Sequence, residues 1–139
     1  MKTVLDTTAF SSLMRRDTGM VQFLRAYRPG DIATVPLVVA EISYGIARLE
    51  AGSRRRLLLE QEKNRILELV RQLDWVPRSS ELFGTIKAQL ERDGTPIDDM
   101  DIAIAAIAMS HQAEVITANM VHFSRIKGLT VRHWTDSSR

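Results

Sequence analysis

The chain has 139 residues, 45% of them hydrophobic and 26% charged, with a formal net charge of +2 and a sequence pI of about 9.3. These values fit one globular domain, 1–139, large enough to bury a core. With no cysteine, a disulfide framework, a thiolate zinc site and a thiol nucleophile are excluded, while the small positive charge permits nucleic-acid binding without requiring it.

Residues 1–6 enter strand-like sequence at once, without a secretory leader pattern. No apolar stretch nears the ~18 residues that cross a membrane. A cytoplasmic protein with no membrane association is therefore expected. Thr3–Asp6 reads as a short buried strand. Phe10, Leu13 and Met14 have helical spacing, and Val21, Phe23, Leu24 and Tyr27 mark a second helix that Pro29-Gly30-Asp31 stops. Ile32–Val35 is a second strand. Pro36 fits the first turn of the next helix, whose stripe is Val38/Val39, Ile42, Ile46 and Leu49, with Gly52 ending it. Arg54–Leu73 reads as one long helix with Leu59, Ile66, Leu69/Val70 and Leu73 on one face, and Trp75–Val76 as a brief strand. Ser79/Ser80 can cap a helix carrying Leu82, Ile86 and Leu90. Gly94-Thr95-Pro96 breaks the chain before a helix over Ile97–His111. Glu114–Thr117 and Leu129–His133 are the last strands, and Thr135–Arg139 reads as a frayed tail. This alternation predicts an α/β layer fold with a mainly parallel sheet.

Three carboxylates stand in charge-poor surroundings. Asp6 is the only charged residue between Lys2 and Arg15, Glu41 the only one between Asp31 and Arg48, and Asp101 opens the uncharged run Ile102–Met109. A carboxylate in apolar surroundings must find a partner or neutralise. Converging carboxylates without a matching His or Cys set point to a hard cation, Mg²⁺ or Mn²⁺. Asp6 lies at a strand's carboxyl end, where open α/β sheets build their sites. Glu41 falls about one and a half turns into its helix, partly buried beside Leu37, Val38, Tyr44 and Gly45. Asp101 sits near a helix N-terminus, which favours a carboxylate. Each has a bland explanation alone: Asp6 as an N-cap, Asp98 and Asp101 as a capping pair, Glu41 as a partner of Arg48. Their coincidence near strand ends points to one shared site.

Leu5-Asp6-Thr7-Thr8, Glu41-x-x-x-Gly45, Gly94-x-Pro96-Ile97-x-x-x-Asp101-x-x-Ile104-Ala105-Ala106 and Ile116-Thr117-x-Asn119-x-x-x-Phe123 occur in this order. The ordered set, which spans nearly the whole chain, resembles the PIN-domain ribonucleases, specifically the VapC-type toxins of toxin–antitoxin pairs. The resemblance implies a three-layer α/β/α sandwich, Mg²⁺- or Mn²⁺-dependent endonucleolytic cleavage of RNA, and a cognate antitoxin that inhibits it. By position, Asp6, Glu41 and Asp101 match the family's first three acidic ligands, which makes them the expected catalytic and metal residues, Glu41 binding directly or through water. Asp98, one turn before Asp101, is an accessory candidate.

One departure stands out. The family often carries a fourth acid in the segment that here reads Thr117-Ala118-Asn119-Met120-Val121-His122-Phe123, which has none. Asn119 can offer a carbonyl oxygen to the metal or to its water, and Thr117 a hydroxyl. His122 can contact phosphate or lie on the surface, and the surface is the expected place. One ion is expected rather than two. Arg15, Arg16, Arg48, Arg125 and Lys127 follow the site's motifs and are expected RNA contacts. Arg54-Arg55-Arg56 reads at least equally as a solvated helix start beside Glu60 and Glu62, and Trp75 and Trp134 read as packing residues. The stripes Ile42/Ile46/Leu49 and Leu59/Ile66/Leu73 offer more apolar surface than one small sheet covers, and with the resemblance this predicts a homodimer. Two competing functions remain. One is a catalytically weak PIN-like binding module acting through RNA or antitoxin contacts. The other is a phospho-accepting receiver domain, which would want a Lys soon after a late strand, whereas none follows Ile116 until Lys127.

Overall fold

Thr3, Val4 and Leu5 have no exposed surface, and a strand buried on both faces belongs in the middle of a sheet. In the computed structural model, which describes residues 1–136, they form β1 (Thr3–Leu5), the central strand of five. β2 (Ile32–Thr34) and β4 (Glu114–Ile116) flank it; β3 (Arg71–Gln72) and β5 (Val131–Arg132) are the edges, giving the order β3-β2-β1-β4-β5. Every pairing is parallel: Val4 stands opposite Ala33 on one side and Val115 on the other, Thr34 opposite Gln72, and Val115 opposite Val131. A parallel pair cannot be closed by a tight hairpin, so helices make the crossovers. They are α1 (Thr7–Met14), α2 (Thr18–Leu24), α3 (Pro36–Ala47), α4 (Arg54–Leu69), α5 (Pro77–Arg92), α6 (Asp99–Ser110) and α7 (Met120–Phe123). The result is the expected α/β/α sandwich. α1, α3 and α4 pack on one another, and α5 lies along α6. Residues 102–108 of α6 are buried without interruption, so this helix is core on all sides and needs no amphipathic stripe.

Four local readings change. The long helix predicted over Arg54–Leu73 ends at Leu69; Val70 turns extended at φ −111°, ψ 152°, and β3 follows. The buried set Ile66, Val70 and Leu73 has helical 4-and-3 spacing, which hid a strand whose own two side chains, Arg71 and Gln72, are exposed. Trp75–Val76 is no strand: Trp75 Nε1 donates to Ser80 Oγ at 2.8 Å, and Val76 is the N-cap of α5. That helix starts before Ser79, whose hydroxyl accepts from Val76 N at 3.1 Å, and Ser80 is not its cap. α7, a single turn, has no periodic signal. Of the stripes thought to exceed the core, Ile42, Ile46, Ile66 and Leu73 are buried within the monomer; the exposed apolar side chains on α3 and α4 are Tyr44, Leu57, Leu58 and Leu69. The tail expected over 135–139 lies outside the described residues from 137 on. Thr135 and Asp136 still close a turn, with Asp136 Oδ2 accepting from His133 N at 3.0 Å.

Candidate active site

From β1 the chain winds outward through β2 and β3, then returns to lay β4 against the other side of β1. Such a reversal opens a crevice at the carboxyl ends of the two strands. Asp6 leaves β1 and Thr117 leaves β4 at that crevice, joined by Asp6 N donating to Ile116 O at 3.1 Å. Asp6 is 3% exposed. Its Oδ1 accepts from Ala9 N at 2.9 Å and from Thr8 Oγ1 at 2.7 Å, and its Oδ2 accepts from Thr117 Oγ1 at 2.5 Å. Both hydroxyls are themselves fixed, Thr8 accepting from Ala118 N at 2.9 Å and Thr117 from Asn119 N at 2.8 Å. The N-cap and site readings of Asp6 therefore coexist. Burial pushes its carboxyl pKa up, against the hydrogen bonds of Thr117, Thr8 and Ala9, which pull it down.

Glu41 reaches the same crevice from α3. Pro36 opens that helix with its φ already set, and the half-buried Glu41 accepts a hydrogen bond at Oε1 from Thr7 Oγ1. It does not pair with Arg48, whose guanidinium lies 5.5 Å from the Tyr44 ring centre. Asp101 stands in the first turn of α6. The exposed Asp98 caps that helix, its Oδ1 accepting from Met100 N at 3.3 Å. The Asp101 carboxylate faces Asn119 Nδ2 at 3.5 Å and His122 Nδ1 at 3.7 Å. Its pKa is pushed up to about 6, first by burial and then by the negative fields of Asp6, Asp98 and Glu41, with His122 opposing. The three acids picked out by their isolation thus share one electrostatic region.

No Lys or Arg is paired with Asp6, Glu41 or Asp101 among the described residues. Carboxylates that repel one another without a counter-charge fit a hard divalent cation. Among the described residues no three His, Asp or Glu side chains form a ready-made cage. An ion that keeps several of its waters does not need one.

The expected cations divide. Arg15 lines a cleft that runs from Thr7 and Glu41 over Met14, Ile42, Ile46 and Leu59, and Arg55 lines it too. Arg16 is engaged with Glu62 through Nε and Nη2, each at 3.0 Å. Arg125 donates to Pro96 O at 3.4 Å, and Lys127 and Arg48 are exposed. Sequence reasoning passed over Thr7 and Thr8 as donors to the acids, Arg55 as a cleft residue, and His122, whose ring nitrogen turns toward Asp101. Two hydroxyl residues directly after a strand-ending acid were the available signal for the first pair.

A sequence-family model for the PIN domain matches residues 3–129. The chain is 28% identical over 134 residues to Ribonuclease VapC2 of Haemophilus influenzae, covering 96% of this chain and 98% of that protein. It is 33% identical over 98 residues to the tRNA(fMet)-specific endonuclease VapC of Salmonella typhimurium, covering 70% and 71%. The fold matches the structure of VapBC-1 from nontypeable Haemophilus influenzae with a TM-score of 0.84 at 27% identity, over 98% of this chain and all of that one.

Proposed function

The chain belongs to the PIN-domain family, and from that premise we propose that it is a VapC-type endoribonuclease toxin, dependent on Mg²⁺ or Mn²⁺ and inhibited by a cognate antitoxin. One observation carries this reading: Asp6, Glu41 and Asp101 act on one another electrostatically at the crevice between β1 and β4, opposed at Asp101 only by His122, with no Lys or Arg of the described residues paired with them. A bound divalent ion would supply Lewis-acid stabilisation of the phosphate and a nucleophilic water at neutral pH. Asp6 and Asp101 are the side chains to hold it directly, Glu41 directly or through water, and Asn119 through its amide oxygen. Thr8, Thr117 and Ala9 N fix the rotamer of Asp6, and Thr7 fixes Glu41, so the acids are positioned before the ion arrives. Asp98 adds negative field at Asp101.

The RNA backbone needs positive charge around this acidic crevice. Arg15 and Arg55, in the cleft that includes Glu41, are best placed, with Arg48, Arg125 and Lys127 further along; Arg16 must exchange Glu62 for a phosphate. The antitoxin occupies the crevice with an Arg or Lys, a counter-charge for the same carboxylates, and so excludes the cation. The exposed Tyr44, Leu57, Leu58 and Leu69 supply the apolar surface for a homodimer. No helix of the described residues is long and apolar enough to cross a membrane; action in the cytoplasm, where the RNA is, follows from the proposed substrate.

The test is cleavage by the purified protein, free of its partner, across a panel of structured RNAs. Initiator tRNA comes first, because the 33% identical relative is specific for it. Cutting is expected with Mg²⁺ or Mn²⁺ and should stop with EDTA, and Glu41→Ala should lose at least about 100-fold, the scale of a removed electrostatic group. A wild-type protein that cuts no RNA under any of these conditions would leave the binding-module reading in its place.

A further inference from the structure

The cleft that starts at Thr7 and Glu41 joins two opposite chemistries. Its α3 wall carries Ile42, Gly45 and Ile46, and Leu59 of α4 adds to the apolar lining. Ile42 and Ile46 are only 7% and 3% exposed, so they form a floor rather than a rim. Arg15 and Arg55 line the same space, are exposed, and pair with no carboxylate among the described residues. The cleft holds about 360 Å³, near the lower end, roughly 300 Å³, of small-molecule sites. An apolar slot beside guanidinium groups suits a flat ring that carries phosphate.

Gly45 marks the slot. Glycine inside a helix costs stability relative to alanine, and two usual reasons for it are missing here. α3 runs on to Ala47 and is capped by Arg48, so Gly45 does not end the helix. A Cβ at this position would meet nothing within 4 Å, so no neighbour requires its absence. Gly84 of α5 has equal room. Gly45 differs in lining the cleft, one turn on from Glu41 along the same face of α3. At such a place glycine lets a ligand approach the backbone closely.

Resting on the ribonuclease reading above, we propose that this cleft is a nucleoside subsite. One unpaired base of the RNA lies against Ile42 and Ile46 over Gly45, Arg15 and Arg55 hold the flanking phosphates, and the strand then passes Glu41 into the acidic crevice. Bases free of pairing are what sequence-selective RNA sites receive, and Arg offers such a base both charge and a stacking plane. Charge decides against a peptide here. An antitoxin Arg or Lys that reached the crevice through this cleft would have to pass two guanidinium groups of its own sign.

Isoleucine-methyl NMR of the metal-free full chain, without its antitoxin, reads this independently of cleavage. Titration with adenosine, cytidine, guanosine and uridine 5′-monophosphates should shift the Ile42 and Ile46 methyl resonances through the ring current of the base. Ile86 of α5 should stay still, and ribose 5-phosphate, which lacks the base, should not reproduce the shifts. Gly45→Met fills the slot with a good helix former, so it should stay folded and bind the nucleotides about tenfold more weakly, the scale of one lost stacking contact. On an RNA that the wild type cuts, its KM should rise by about the same factor with Mn²⁺ affinity unchanged. Four results would overturn the proposal: no shift at Ile42 or Ile46 with any nucleotide, equal shifts with ribose 5-phosphate, shifts that persist in Gly45→Met, or a Gly45→Met protein that cuts RNA normally but no longer binds its antitoxin. The last would give the cleft to the antitoxin. Base-dependent shifts in a wild type that cuts no RNA would support the subsite and remove the ribonuclease reading instead.

Discussion

Asp101→Asn should abolish RNA cleavage and make the metal-free protein more stable. The carboxyl of Asp101 is held up at about 6 by burial and by Asp6, Asp98 and Glu41, against an ordinary aspartate value of 3.8. A raised carboxylate pKa means that the folded chain binds the proton more tightly than the unfolded one. Stability therefore falls as pH rises from about 4 to about 6, and the full cost is present above that window. A fully desolvated group with this shift would cost about 3 kcal/mol at 1.36 kcal/mol per unit. Asp101 is only partly buried, and solvent screening reduces that to about 1 kcal/mol. Asparagine keeps the shape and removes the charge, so at pH 7.5 the melting temperature should rise by about 2–4 °C, the shift expected for this size. The gain should shrink toward pH 4. Cleavage should fall at least about 1,000-fold, because a group acting on the developing charge is lost. Mn²⁺ should stabilise the wild type and leave the variant nearly unmoved. Differential scanning fluorimetry across pH, with a cleavage assay at pH 7.5, checks both halves. A variant that is less stable at pH 7.5 would show that Asp101 is there for the fold.

Thr117→Val should go the other way in stability and the same way in activity. The hydroxyl donates to Asp6 Oδ2 at 2.5 Å and accepts from Asn119 N at 2.8 Å, all within a buried residue. Valine matches its shape but leaves a buried carboxylate oxygen short of a donor and a backbone N–H short of an acceptor, at a cost of about 1–3 kcal/mol. Among the groups that pull the Asp6 pKa down, Thr117 is the largest. Without it the Asp6 carboxyl rises further, so the proton competes better with the cation. Metal affinity and cleavage should each drop by about 10–100-fold, as when a group that orients a ligand is removed. Chemical denaturation and Mn²⁺ titration check this. A variant of unchanged stability with wild-type metal affinity would show that the Thr117–Asp6 contact is dispensable.

These opposed signs bear on what could be read from the sequence. Asp6, Glu41 and Asp101 were legible because selection for a buried fold would not leave lone charges at the end of the strand Thr3–Leu5, in α3 or at the head of an uncharged helix. Strand ends were legible too, since β1 and β4 are short runs buried on both faces. What stayed hidden depended on distant residues. The hydroxyls of Thr7 and Thr8 look like ordinary turn and helix-start residues until α3 and β4 arrive beside them. Arg55 looked like part of a solvated run because its place in the cleft is set by how α4 packs on α1 and α3. His122 read as a surface residue because α7 is one turn long and carries no periodicity to aim it. β3 was lost for a related reason: an edge strand with two exposed side chains has no alternation, and its buried flanks keep helical spacing. Local pattern thus located the charges, and tertiary contact decided what holds them.

Calorimetric titration of Mn²⁺ into the wild type and into Asp6→Asn, side by side, tests the metal centre most directly. Asp6 lies at the end of the central strand, and its asparagine variant keeps an oxygen for Ala9 N, so both proteins should be folded. The wild type should show a saturable site, and Asp6→Asn an affinity lower by at least about tenfold, the scale set by loss of a charged ligand. Equal Mn²⁺ affinity in two folded proteins would contradict a cation held between β1 and β4.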